Sequence, residues 1–327
     1  VRVLTLLEAV TDGLRAEMSA DQSVVVFGQD VGVEGGVFRA TAGLQRDFGE
    51  SRCFDTPLVE SGIVGAAIGM AVAGLRPVVE IQFSGFALSA FNQIVNHAAR
   101  IRNRTRGALS APMVIRTPYG GGIRAPEHHS ESMEALFAHT PGLKVVVPST
   151  PHDAKGLLIS AIRDPDPVIF LEPARAYRAV RQQVPEQAYA VPIGKAKIEE
   201  TGTELTLVSY GAQMMEARQA RAVLAASGRS VELIDLRTIY PFDAKTVVES
   251  VRKTGRLLVV HEGPQSFGVA SELIATVMDK AFDVLQAPPA RLTGPDVIVP
   301  LPRGERHYLI SAEQVIAEAR KVLSYEP

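Results

Sequence analysis

A single cysteine, Cys53, occurs in the 327 residues, which excludes an intramolecular disulfide and any cysteine-rich zinc site. Neither sign of charge is in excess. Lys and Arg number 34 against 36 Asp and Glu, a formal net charge of −2, and the pI is near 6.4. That balance gives no electrostatic reason to expect nucleic acid or an anionic membrane as a partner. No apolar run approaches the roughly 18 residues of a membrane-spanning helix. Val1 to Val10 does not resemble a basic segment followed by an apolar one, so the cytoplasm is the expected location, or the mitochondrial matrix in a eukaryote. Apolar residues are plentiful at 46%, enough over this length to bury sizeable cores in about two domains.

Strand and helix patterns alternate along the first half. Leu6, Leu7, Val10 and Leu14 recur at helical spacing within Thr5–Met18, and Val24–Gly28 is a short β-branched run of the kind that becomes a buried parallel strand. The glycine-rich 32–38 loop after it lacks the spacing of a dinucleotide fingerprint. Strands are expected at 78–83, 113–116, 144–147 and 168–171, with helices over 91–101 and 153–162. The polar, proline-bearing stretch from Glu172 to about Gly194 reads as a surface linker. Beyond it, strands at 205–208, 231–234 and 257–260 alternate with helices over 214–226, 244–253 and 271–281. Residues 295–302 are irregular, and 312–323 closes the chain as a helix. The pattern predicts an α/β fold of two doubly wound parallel-sheet domains, residues 1–183 and 184–327.

Three stretches carry chemistry. In Asp55-Thr56-Pro57-Leu58-Val59-Glu60-Ser61-Gly62, Pro57 suits a first helical turn, and Glu60 is the one acid in a helix that is otherwise apolar and small. A carboxylate there could simply complement the helix dipole, a role worth about 0.3–1 kcal/mol. Facing an apolar cleft, it could instead share a proton with a ligand's ring nitrogen. The second stretch, 117–132, places Gly120, Gly121 and Gly122 and then His128 and His129 after a strand. No third ligand stands at zinc-like spacing, leaving a proton donor carried on a mobile loop as the functional alternative to a surface histidine. The third, Asp164-Pro165-Asp166-Pro167, is a turn before a strand. The Arg100, Arg102, Arg104 and Arg106 run reads as a solvated helix end.

Taken in order, Thr56–Ile63, Glu80-Ile81-Gln82-Phe83, His129-Ser130-Glu131-Ser132, Pro141–Val146 and Ser149–Leu158 resemble the beta subunit of thiamine-diphosphate-dependent 2-oxo acid dehydrogenase decarboxylases. The resemblance spans nearly the whole chain. It implies a transketolase-like pyrimidine-binding domain followed by a transketolase C-terminal-like domain. It also implies that Glu60 hydrogen-bonds the aminopyrimidine ring nitrogen of thiamine diphosphate and so assists removal of the thiazolium proton. Gln82 and Phe86 would line the pyrimidine site, the first by hydrogen bonding and the second by stacking. His129 would act near acyl transfer to lipoamide. Where this chain has Glu131 the family commonly has glutamine.

In that superfamily the diphosphate is held through Mg²⁺ by a Gly-Asp-Gly element and later asparagines. Gly-Asp-Gly is absent here, and the asparagines are Asn92, Asn96 and Asn103 alone. The implied Mg²⁺ and diphosphate site therefore lies mainly on an alpha subunit, in an α₂β₂ heterotetramer that acylates a dihydrolipoyl acyltransferase core. A K⁺ ion near Asp164 and Asp166 is implied as well, since oxygen ligands at a turn suit a hard cation. Ser84-Gly85-Phe86 and the Pro126–His129 loop resemble pyruvate-type subunits, with branched-chain 2-oxo acids the alternative. An acetoin dehydrogenase or transketolase-like subunit and a non-catalytic docking subunit also stay open.

Overall fold

The computed structural model describes residues 1–326. Its first half begins with β1 (Arg2–Thr5), α1 (Leu6–Ala20), β2 (Val24–Gly28), α2 (Leu44–Phe48), β3 (Cys53–Asp55), α3 (Glu60–Val72) and β4 (Arg76–Glu80). It continues with α4 (Ile101–Arg104), β5 (Val114–Tyr119), α5 (Glu134–Ala138), β6 (Lys144–Val146), α6 (Pro151–Arg163), β7 (Val168–Pro173) and β8 (Arg181–Val184). Local chemistry sets the helix starts. Thr5 and Glu8 form a capping box on α1, and Thr150 caps α6 with Pro151 in its first turn. Helix α3 starts later than expected: Val59 is extended, so Pro57 lies before the helix and Glu60 is its first residue.

The second half holds β9 (Lys197–Glu200), β10 (Leu205–Ser209), α7 (Met214–Ala226), β11 (Val231–Asp235), β12 (Thr238–Tyr240), α8 (Ala244–Thr254) and β13 (Leu257–Pro264). Then come α9 (Val269–Ala281), β14 (Ala290–Gly294), α10 (Glu305–Tyr308) and α11 (Ala312–Leu323). Two sheets result. One runs β12-β6-β7-β5-β4-β2-β3 and the other β14-β13-β10-β11-β9. Both are parallel except at an edge, where β12 lies antiparallel to β6 and β9 antiparallel to β11. Thus β12, a segment of the second half, completes an edge of the first sheet.

Two expectations need correction. The stretch 91–101 is not one α-helix: Gln93–His97 is a π segment and Ala98–Arg100 a 3₁₀ turn, and α-helix resumes over Ile101–Arg104. Its apolar face is nonetheless buried at Ile94, Ala98 and Ala99. The 172–194 stretch is also more than a linker, because β8 pairs antiparallel with β1. The buried Lys155 ammonium ties it down further, bonding the carbonyls of Pro185 and Glu186.

Helices α1 and α6 cover one face of the first sheet and share a core with it. On its other face α3 and the 84–104 segment belong to a core that continues without a break into the α8 and α9 face of the second sheet. The two halves are therefore joined by buried apolar contact. Helices α7 and α11 close the remaining face. Among the described residues, no helix is long and apolar enough to cross a membrane.

Candidate active site

The parallel strands β2, β3, β4 and β5 all end at one edge of the first sheet. Ligands in open α/β sheets bind outside such carboxyl ends. Leaving that edge, the chain presents Gln29 and Asp30 after β2, Asp55 to Glu60 after β3, Gln82 to Phe86 after β4, and the glycine loop with His128 and His129 after β5. Four residues singled out from sequence, Glu60, Gln82, Phe86 and His129, thus emerge at the same end of the sheet.

A 3₁₀ segment, Ser84–Ala90, joins them. Ser89 donates its hydroxyl to the Glu60 carboxylate at 3.0 Å. Three residues earlier, the Phe86 ring lies 5.1 Å from the His129 ring and 5.4 Å from that of His128, while the Phe83 ring lies 4.1 Å from that of His129, tilted by 59°. Gly85 permits this approach, since a β-carbon there would meet the His128 carbonyl oxygen at 2.2 Å. Gln82 lies beyond β4 and donates to the Asp30 carboxylate at 2.9 Å.

Electrostatics separate these groups. Burial lowers the proton affinity of His129, His128 beside it acts in the same direction, and Glu127 opposes them. Its Nδ1 is buried and has no protein partner. A neutral imidazole with an unengaged nitrogen can accept a proton or a ligand hydrogen bond. Glu131 is raised above the usual carboxyl range, chiefly by burial; His128 opposes the shift and Glu127 reinforces it. Glu60 is half-buried, engages one protein donor, and is flanked by the exposed apolar Leu58, Val59 and Leu88.

These features fit one half of thiamine diphosphate. An acceptor carboxylate, an amide and aromatic rings suit an aminopyrimidine. Among the described residues, no group of three or more His, Cys, Asp or Glu could hold a metal ion.

Asp164 and Asp166 stand apart from this cluster, in the turn at the amino end of β7 and so at the opposite edge of the sheet. Both carboxylates already engage basic side chains. The Lys144 ammonium bonds both Asp164 carboxylate oxygens at 2.6 Å, and Arg102 Nε donates to Asp166 at 2.6 Å. Side-chain cations already neutralise the pair.

Several participants escaped the sequence reading. Ser89 carries no local signal, whereas Asp30 could have been noticed as a polar residue just past a buried strand. Behind the glycine loop lies a further buried cluster. Glu134 accepts from the Tyr210 hydroxyl at 2.7 Å, and Glu262 has both carboxylate oxygens buried without a partner. Burial pushes Glu262 up to about 8; Arg175 opposes the shift, and Glu134, Glu216 and Glu305 reinforce it.

Comparison with known proteins places these features in context. Residues 3–180 match the model of the transketolase pyrimidine-binding domain, and residues 194–315 that of the transketolase C-terminal domain. The chain is 54% identical over 325 residues to the pyruvate dehydrogenase E1 component subunit beta of Acholeplasma laidlawii, covering 99% of each. With the Bacillus subtilis protein of the same name it shares 49% identity over 322 residues, 98% of this chain and 99% of the relative. A solved split-gene transketolase, described as an inactive beta4 tetramer, superposes with a TM-score of 0.81 over 99% of each chain at 21% identity. At that identity the likeness speaks for the fold alone.

Proposed function

We infer the role of this chain from its family: it belongs to the pyruvate dehydrogenase E1 beta subunits, built from a transketolase-type pyrimidine-binding domain and a transketolase-type C-terminal domain. It is a component of a pyruvate dehydrogenase complex, and membership carries dependence on thiamine diphosphate. We propose that it supplies the pyrimidine half of a shared active site in an α₂β₂ heterotetramer. The alpha subunit then holds the diphosphate and Mg²⁺, and the product acyl group passes to the lipoyl group of a dihydrolipoyl acyltransferase core. The exposed apolar Leu58, Val59 and Leu88 around Glu60 support a covering partner at this edge.

The observation that carries the reading is the Ser84–Ala90 segment, which joins Glu60 through Ser89 and packs Phe86 on His128 and His129. When bound, thiamine diphosphate supplies a thiazolium carbon that takes up the keto carbon and accepts the electrons left by loss of CO₂. Glu60 would hydrogen-bond the aminopyrimidine ring nitrogen, with Ser89 fixing its carboxylate. Gln82, oriented by Asp30, would hydrogen-bond the same ring, and Phe86 gives it an apolar surface. His129, neutral and with a free nitrogen, would hold or move the proton exchanged as the acyl group reaches the lipoyl sulfur. K⁺ at the Asp164–Asp166 turn is a separate, structural element of the proposal, and it would have to bind beside the Lys144 and Arg102 cations already there.

The test replaces Glu60 by glutamine in a heteromer reconstituted with an alpha partner. Assembly should survive a nearly isosteric change, while the rate of pyruvate decarboxylation should fall by about 10²–10⁴, the range for a positioned proton-transfer group. Exchange of the bound cofactor's thiazolium proton as fast in the variant as in wild type would reduce Glu60 to a helix-end carboxylate.

A further inference from the structure

The loop that presents His128 and His129 packs its histidines on Phe83 and Phe86, but its hydrogen bonds to its own half of the chain lie at its ends. The Gly120 N–H donates to the Glu131 carbonyl at 3.1 Å, and the Ser84 hydroxyl reaches the same oxygen at 3.0 Å. In between, two amides are met from the other half. The Gly122 N–H donates to Glu305 Oε1 at 2.6 Å and the Arg124 N–H to Glu305 Oε2 at 3.2 Å. Glu305 is the first residue of α10, is 4% exposed, and bridges more than 180 residues of chain with these two bonds.

The loop conformation needs such a tie. Arg124 has φ of 57°, a left-handed geometry that costs a non-glycine residue on the order of 1–3 kcal/mol and persists only where the surroundings over-determine it. Gly120, at φ of 86°, lies directly under Glu262, where a β-carbon would stand 2.0 Å from Oε1. The C-terminal half thus both presses on the neck of the loop and binds its middle. The two converging N–H donors here meet two separate acceptor oxygens. A carboxylate provides them with charge-assisted strength, whereas an amide would turn its own N–H against one of them.

We propose that Glu305 is a positioning residue for His129, fixing the glycine loop from across the domain seam so that His128 and His129 rest on Phe83 and Phe86. The proposal builds on the acyl-transfer role assigned to His129 and deepens it. Glu305 does not touch the reacting groups; it sets where the imidazole stands.

The experiment uses the reconstituted heteromer with thiamine diphosphate and Mg²⁺, comparing Glu305→Gln with wild type. Hydrogen exchange of the Gly122 and Arg124 amides should quicken about tenfold or more, as expected for loss of a charged hydrogen-bond acceptor, with exchange in β10, β11 and β13 unchanged. The kcat for reductive acetylation of a lipoyl domain should fall by a similar factor, while the KM for pyruvate and the rate with an artificial electron acceptor change little. Unaltered exchange in the 120–132 loop, or equal acceleration throughout both domains, overturns the proposal. Tyr308→Phe on the same helix removes the hydroxyl bond to the Glu262 carbonyl and should leave loop exchange alone. If it loosens the loop as much as Glu305→Gln, then α10 as a body, not the carboxylate, holds it and the proposal is wrong. His129→Ala separates the two readings: undiminished lipoyl acetylation in that variant removes the role of His129, while loop exchange still decides whether Glu305 is the tie.

Discussion

Replacing Arg116 by methionine probes the most highly charged point in the core of the first domain. Arg116 in β5 is 1% exposed and donates through Nη1 to Glu80 at 3.0 Å and through Nε and Nη2 to Glu172 at 2.7 and 3.0 Å. The Tyr177 hydroxyl donates to Glu172 as well. Burial raises Glu80 above the usual carboxyl range, Arg116 pulls it down, and Glu172 pushes it up. Methionine roughly fills the space but leaves two carboxyl groups buried without their cation. Removing one member of a buried ion pair costs about 3–5 kcal/mol. At about 2–4 °C per kcal/mol for a large domain, the melting temperature should fall by roughly 6–20 °C. The sign of the pH dependence follows. Without the guanidinium the folded variant holds the Glu80 carboxyl proton that the unfolded chain has released, so stability is lost as pH rises from the ordinary carboxyl range through its raised value. The deficit relative to wild type should therefore be smaller at pH 5 than at pH 8. Denaturant unfolding of both chains at pH 5, 6.5 and 8 measures it. A deficit under about 1 kcal/mol that does not change with pH would mean that the triad is solvated, and the argument for a charged staple between the strands carrying Gln82 and the histidine loop would fail.

Glu262 makes a related prediction of alkaline sensitivity. Its folded carboxyl is pushed up to about 8 from 4.5, so its stabilising contribution is complete below about pH 4.5 and lost as pH rises through about 8. Glu262→Gln should flatten the fall in stability between pH 6 and pH 9 without abolishing it, because Asp235, pushed up to about 7 chiefly by burial, acts in the same direction; parallel pH curves for variant and wild type would refute this. If K⁺ binds at the Asp164 turn, wild-type protein should melt higher in K⁺ than in tetramethylammonium at equal ionic strength. Equal melting temperatures would leave Lys144 as the only counter-ion that Asp164 needs. For substrate, the reconstituted heteromer should have a higher kcat/KM for pyruvate than for 3-methyl-2-oxobutanoate with an artificial acceptor, by about 10-fold or more given 1–3 kcal/mol per methylene, and the reverse order would assign the branched-chain acids.

What could be read from sequence divides along a physical line. Periodic burial leaves a trace, so α7 and α11 run over the residues expected, and β2, β5, β6, β7, β10, β11 and β13 lie where the apolar runs stand. Backbone detail leaves less: the apolar stripe at Ile94 and Ala98 marks a buried face but cannot distinguish an α-helix from the π and 3₁₀ turns found there. Side-chain pairings between distant segments leave almost none, since Ser89 with Glu60 and Glu305 with the Gly122 amide obey no spacing rule. The buried triad is the instructive exception. Glu80, Arg116 and Glu172 each follow an apolar run within a strand, and an isolated charge at any of these positions would be far too costly to bury. Three such charges in the neighbouring strands β4, β5 and β7 can be accommodated together only if they meet. Their misfit to the apolar pattern is therefore itself the legible sign of the contact, and the same reasoning explains why the Glu60 carboxylate, alone in an apolar helix, stood out while its partner Ser89 did not.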